Sequence, residues 1–338
     1  MHMSDALISP AVGGAMWVAA AGMTAWCARR VRRDANDARV PLMGVLGAFV
    51  FSTQMLNFAI PATGSSGHLG GGLLLAILLG PAAAFLTIAS VLVMQALFFA
   101  DGGLLALGCN VINMGLFPCF IAYPLVYRVI TGTHLTPARV TLGATLAAIV
   151  ALQLGAFSVV LETSCSGVSD LPFQTFALLM QPIHLAIGLV EGLVTSAVVL
   201  FVWKASPDVL LSTAQPVRLK PVLVSFLALA LLCGGVLSWF ASARPDGLEW
   251  SMLHTAGKEE LTAPADSLHS QMAGLQEKTV FFPDYDVKKS DTSATKENWP
   301  AVSTGKSLAG LLGGVLTLVL SGTVGFALRR RRNQTCES

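Results

Sequence analysis

The chain has 338 residues, of which 54% are hydrophobic and 12% charged, with a mean hydropathy of +0.68 and a formal net charge of +2. A soluble domain carries roughly 25% charged residues, so this composition excludes a water-soluble globular protein and reads as an integral membrane protein. The small net charge and the lack of a basic stripe give no nucleic-acid footprint.

The chain begins Met1-His2-Met3. A histidine in second place offers three nitrogens at once: the free α-amine, the deprotonated His2 amide and the near ring nitrogen close two small rings on one divalent ion. One planar position stays open, and His68 in the Gly/Ser loop Gly64-Ser65-Ser66-Gly67-His68 supplies a candidate fourth nitrogen. Four nitrogens in a square plane suit Ni(II) and Cu(II), whereas Ca and Mg want oxygen cages. The chelate needs Met1 retained with a free amine, and nothing ahead of His2 has the basic-then-apolar pattern of a cleavable signal. An incidental histidine at a frayed terminus is the alternative reading.

Apolar stretches give nine candidate spans, at residues 12–28, 41–60, 69–79, 82–100, 104–127, 140–161, 173–203, 221–240 and 308–328. The run from Leu69 to Ala100 is too long for one span of about 20 residues. Gly80-Pro81 divides it, predicting a short helix and then a full one. With that division, Arg29, Arg30, Arg32, Arg33, Arg39, Arg128, Arg139, Lys204, Arg218, Lys220 and Arg329 to Arg332 fall on one face, which is fourteen of the 21 basic residues. Short basic loops mark the cytoplasmic side, so the amino terminus and His68 are expected together on the outside. Of the six cysteines only Cys165 lies in an outer loop, so no disulfide framework is expected.

Residues 243–304 break the membrane pattern, with ten acidic and six basic residues punctuated by Pro245, Pro264, Pro283 and Pro300. They are expected to form an outer domain or extended loop beginning in a Pro-Asp-Gly turn. Ionisable groups within spans are costly and invite functional readings. His184 and Glu191, two helical turns apart on one face, read either as interhelical hydrogen-bond partners or as groups that gate or orient a site. Asn57, Asn110 and Asn113 read as loop anchors. His134 lies on the inner face, and His254 and His269 are expected to be solvated. Gly44, Ala48 and Ser52 form a small-residue face suited to close helix approach, read as docking a separate partner subunit or as packing within the bundle. Thr304-Gly305-Lys306-Ser307 lacks the leading glycine of a phosphate loop, so the chain is expected not to hydrolyse ATP.

Five stretches carry a resemblance: Met1-His2-Met3; Gln54-Met55-Leu56-Asn57-Phe58 running on to Ser66-Gly67-His68-Leu69-Gly70; Gln95 to Gly103; Asn110-Val111-Ile112-Asn113; and Pro182-Ile183-His184 to Glu191-Gly192. In this order they resemble the substrate-binding membrane component of nickel/cobalt energy-coupling-factor transporters, the CbiM/NikM family. Pro245-Asp246-Gly247-Leu248-Glu249 is similar to the signature of its NikN-like partner, here fused behind it.

The resemblance implies an all-α polytopic membrane protein: a seven-helix bundle over residues 1–206, and a second part, 207–338, whose two transmembrane helices (221–240 and 308–328) flank the outer segment. It implies a metal held by Met1, His2 and His68; Met3 departs from the branched aliphatic common at that place. Ni(II), or Co(II), is then transported substrate, and no cofactor is expected. The implied partners are a transmembrane scaffold subunit and separate cytosolic ATPases, in the inner (plasma) membrane. The rival from another class is a membrane metalloenzyme using His184 and Glu191.

Overall fold

Gly80 and Pro81 break the long central apolar stretch as their chemistry requires. The computed structural model describes residues 1–33, 39–210, 219–263, 267–287 and 299–336. Arg218, Pro264 and the side chains of Arg39 and Arg330 to Arg332 lie outside the described residues. Helices α1 (Pro10–Arg33) and α2 (Arg39–Gln54) precede two short strands, β1 (Phe58–Ala59) and β2 (Ser66–Gly67), which pair antiparallel with Phe58 opposite Gly67. Helices α3 (Gly72–Leu79) and α4 (Pro81–Met94) meet at Gly80, whose φ of 80° and ψ of 159° favour glycine, and Pro81 opens α4 where its missing N–H costs nothing. Every residue of α3 is buried. At 1.5 Å per residue it reaches about 12 Å against a bilayer core of roughly 30 Å, so it is a half-helix shielded by protein.

A π-helical turn, Gln95–Phe99, continues α4. A longer π-helical stretch, Ile112–Tyr127, joins α5 (Leu107–Val111) to α6 (Arg128–Thr131) and contains Pro118 and Pro124, which have no N–H for a regular ladder. The long helices α7 (Pro137–Ser166) and α8 (Phe173–Ala205) pack along each other. Gly188 and Gly192 permit that approach, because a Cβ on either would strike Ile149 or Thr145. Helices α9 (Leu219–Gly235), α10 (Gly247–Ala256), α11 (Ser267–Thr279) and α12 (Thr304–Cys336) follow.

Among the described residues, six helical runs are long and apolar enough to cross a membrane: Pro10–Arg33, Pro81–Phe99, Leu107–Thr131, Pro137–Ser166, Phe173–Ala205 and Thr304–Arg329. Val40–Gln54 and Leu219–Gly235 are shorter apolar helices. Val18, Leu178 and Val224 stand exposed on these helices, as lipid-facing side chains do. The chain is a mostly helical multi-pass membrane protein.

Three expectations change. The second apolar helix stops at Gln54 and not at residue 60, because the chain turns through Ala62 and Gly64, both at positive φ, to pair β1 with β2. Helix α9 likewise ends at Gly235 and gives way to a 3-10 turn at Leu237–Phe240. The small-residue face of α2 is not free for a partner: a Cβ on Gly44 would lie 3.0 Å from the Leu318 carbonyl of α12, and Ala48 and Ser52 are buried. Beyond the membrane helices, α10 and α11 fold over the amino-terminal residues.

Candidate functional site

The amino terminus is threaded into the bundle. Met1 and Met3 are buried, and Asn110 grips Met3 from both sides: Met3 N donates to Asn110 Oδ1 (2.8 Å), and Asn110 Nδ2 donates to Met3 O (3.2 Å). Asp5 Oδ1 accepts from Ala106 N at 3.0 Å, fixing the approach to α1. His269 is not solvated: it is buried on α11 with Nε2 2.9 Å from Ile8 O and 3.2 Å from Asp5 O, so it ties the outer segment to this tail.

These anchors bring His2 to His68, with ring centroids 5.1 Å apart and planes at 27°. Burial, with the Met1 ammonium next, lowers the His2 pKa to about 3, so the ring is neutral and carries one proton. Nε2 faces Gln95 Oε1 at 3.2 Å, an acceptor, and takes that proton. Nδ1, the nitrogen a chelate needs, lies 3.3 Å from Asp101 Oδ1, a second acceptor that competes with Gln95 for the ring proton. Burial raises the Asp101 carboxyl, which accepts a short hydrogen bond from Tyr285 OH. Gln95 Nε2 donates to Gln54 Oε1 (2.8 Å) and to Tyr285 OH (3.0 Å). The π-helical turn thus places Gln95 at the centre of the network, a common use of such turns.

His68 is set by its backbone. Both carboxylate oxygens of Glu191 accept from the loop, from Gly70 N at 2.7 Å and Gly71 N at 3.1 Å, and Gln54 Nε2 donates to Gly70 O at 2.8 Å. Gly71 has a φ of 75°, which glycine adopts without strain. His68 Nδ1 lies 3.2 Å from Leu69 O and must donate, so Nε2 keeps its lone pair. Burial, then the Met1 ammonium and His2, lowers the His68 pKa to about 4.

The Pro-Asp-Gly stretch is a helix cap and not only a turn. Asp246 Oδ1 accepts from Leu248 N and Glu249 N, both at 2.8 Å, and Glu249 Oε2 accepts from Asp246 N, which closes a capping box. Its other oxygen, Oδ2, lies 3.2 Å from the Met1 ammonium. Burial alone would raise the Asp246 carboxyl, but that ammonium and the Glu249 N–H hold it well below the carboxylate range. Ser66 N and Oγ donate to Pro245 O and Arg244 O, and Trp250 Nε1 donates to Thr63 O, so α10 also grips the β hairpin.

A cleft of about 590 Å³ opens over His2 and His68. Its carboxyl lining is Asp5, Asp101, Asp246, Glu249, Glu260 and Asp284, and no lysine or arginine lines it among the described residues. Such a mouth concentrates cations. Also among the described residues, no three His, Cys, Asp or Glu side chains converge as a ready metal cage.

The structure therefore brings Met1, His2 and His68 together and leaves His134, His254 and Cys165 outside the cleft. Glu191 is a loop anchor, and Asn110 anchors the tail. Gln54, Gln95 and Asp101 lay in the quoted motifs, but their roles emerge only when α2, α4 and the outer segment meet. Tyr285 carried no sequence signal.

Residues 2–209 match a family described as CbiM, cobalt uptake substrate-specific transmembrane region, and residues 220–330 match the PDGLE domain. A fused NikMN nickel transport homologue from Archaeoglobus fulgidus is 32% identical over 336 residues, covering 98% of both chains. The cobalt transport protein CbiM of Sorangium cellulosum is 34% identical over 56% of this chain and 84% of its own. A crystal structure of a truncated transition metal transporter superposes with a TM-score of 0.54 at 29% identity, covering 61% of this chain and 99% of that one.

Proposed function

We propose, from the premise that the chain belongs to the CbiM family of cobalt-uptake substrate-specific transmembrane regions and carries a PDGLE domain behind it, that it captures Ni(II), or Co(II), with Met1, His2 and His68. The protein is a metal transporter and not an enzyme. The observation that carries the site is the pairing of His2 with His68 at 5.1 Å beside the buried Met1 amine. The lack of a side-chain cage among the described residues fits a site that draws on main-chain nitrogen. The Met1 amine, the His2 amide, His2 Nδ1 and His68 Nε2 make four nitrogens in a plane, a set that favours low-spin Ni(II). Loading releases the ammonium proton and the amide proton, and the amine exchanges Asp246 for the ion.

The orientation follows from the basic loops: the amino terminus and the cleft face outward, and the carboxyl terminus lies in the cytoplasm. Residues 1–206 form the seven-helix metal-binding part, and 207–338 add two transmembrane helices around the outer segment, which closes over the site through Asp246, His269 and Tyr285. Proteins of this family work with partner subunits. In this reading a transmembrane scaffold and two cytosolic ATPases in the plasma membrane supply the energy, and the chain delivers the ion inward. The metalloenzyme alternative loses its base, since both oxygens of Glu191 are committed to the Gly70 and Gly71 amides.

The test is the metal content of purified protein with Ni and Co offered in competition. His2→Ala, His68→Ala and a chain extended ahead of Met1 should each come out metal-free while wild type retains Ni. Retention by the extended chain would remove the amine from the site.

A further inference from the structure

Tyr285 sits in a strained stretch of backbone. Asp284 and Tyr285 both adopt left-handed conformations, with φ of 51° and 59°, which a bulky side chain rarely takes without a compensating gain. The chain just ahead of them is held on the π-helical turn: Phe281 N and Phe282 N donate to Phe98 O at 3.0 and 3.2 Å, and the Tyr285 ring stacks on Phe99 with centroids 5.1 Å apart. The gain is the place of the hydroxyl, which lies between Gln95 and Asp101.

The neighbours fix what that hydroxyl does. Burial, then the Asp101 carboxyl beside it, pushes the Tyr285 pKa up, so the phenol keeps its one proton. The proton goes to Asp101 Oδ2, and the phenol oxygen accepts from Gln95 Nε2 at 3.0 Å. These two partners are the groups that compete for the His2 ring: Asp101 Oδ1 faces Nδ1 at 3.3 Å, and Gln95 Oε1 faces Nε2 at 3.2 Å. A hydrogen bond received on Oδ2 draws electron density from the carboxyl and makes Oδ1 a poorer acceptor. An amide whose two N–H groups go to Tyr285 and to Gln54 Oε1 turns its oxygen to His2. One hydroxyl thus acts on both rivals in the same direction.

We infer that Tyr285 is a positioning residue for metal capture: its hydroxyl biases the ring proton of His2 to Nε2 and leaves Nδ1 open to the ion. This rests on the capture reading above and deepens it. A residue of the outer segment then sets the state of a ligand in the amino-terminal tail, so the site is ready for metal only while that segment is docked on the π-helical turn.

Nitrogen NMR of the metal-free, full-length protein in detergent, carrying isotope-labelled histidine, tests this, because the two tautomers give distinct ring-nitrogen shifts. The His2 signals are those lost in His2→Ala. Wild type is expected in the Nε2–H form, and an Nδ1–H ring there overturns the inference without any variant. Tyr285→Phe keeps the stacked ring and loses the hydroxyl; it should move His2 towards Nδ1–H and lower Ni affinity about tenfold. A wild-type tautomer in Tyr285→Phe overturns the inference whether or not affinity falls, since loss of affinity alone is what a purely structural role gives. If His2→Ala still retains Ni, the capture reading itself falls, and the tautomer, read without metal, keeps the two failures apart.

Discussion

Gln95 Oε1 stands 3.2 Å from His2 Nε2, and this contact favours Nδ1 as the nitrogen of His2 that is available. With the proton drawn to Nε2, Nδ1 is free to close the six-membered chelate ring with the His2 amide. Gln95→Leu removes the acceptor and also releases Gln54 and Tyr285. Nickel affinity, measured against a competing chelator, should fall by about 10–100-fold, the usual cost of losing such an orienting partner. Unchanged affinity in a folded variant would show that the tautomer is set elsewhere.

Glu191 binds two main-chain amides of the loop that carries His68, and its removal should be felt in both fold and capture. Glu191→Ala leaves the Gly70 and Gly71 N–H groups buried and unpaired, at about 1–3 kcal/mol each. Glu191→Gln retains one acceptor oxygen and should lose less than half as much. Thermal unfolding in detergent, run with and without Ni, separates the cases. Equal losses in the two variants would assign the effect to packing and not to the loop amides.

Much of this was legible from residue chemistry, and the reasons differ from place to place. Gly80-Pro81 states its break locally, so the half-helix and the full helix after it could be read directly. Met1, His2 and His68 were singled out because a second-place histidine has a particular coordination chemistry, and the family resemblance favoured them over a frayed terminus; the structure brings the His2 and His68 rings within 5.1 Å. Asp246 announced a turn, but its bond to the Met1 amine joins positions 245 residues apart and has no local signal. The same holds for Tyr285 on Asp101 and His269 on Ile8. Gly44, Ala48 and Ser52 were correctly read as a close-packing face, yet sequence does not say whose helix fills it.

Acid should loosen the site in a defined window. The folded-state pKa values of His2 and His68 lie near 3 and 4, below the unfolded value near 6.5, so both rings take up a proton on unfolding. Their contribution is complete above pH 6.5 and drains as pH falls towards 4, with a slope of up to about 1.4 kcal/mol per pH unit for each ring. Unfolding of metal-free protein between pH 4.5 and 7 measures it. His68→Asn should flatten the dependence by about half, and an unaltered slope would mean that other groups carry it.

Helix α12 should depend on the absence of a side chain at position 44. Leucine there meets the Leu318 carbonyl, and Gly322 lies beyond it at 3.5 Å, so neither neighbour has a flexible tip to move aside. The two helices must separate, at about 1–3 kcal/mol for an overpacked contact. Gly22→Leu on α1 is the control, since a Cβ there meets nothing within 4 Å, and it should change stability by less than about 1 kcal/mol. Thermal unfolding of the two variants side by side gives the answer. If Gly44→Leu is as mild as Gly22→Leu, the face is open and α12 does not cover it.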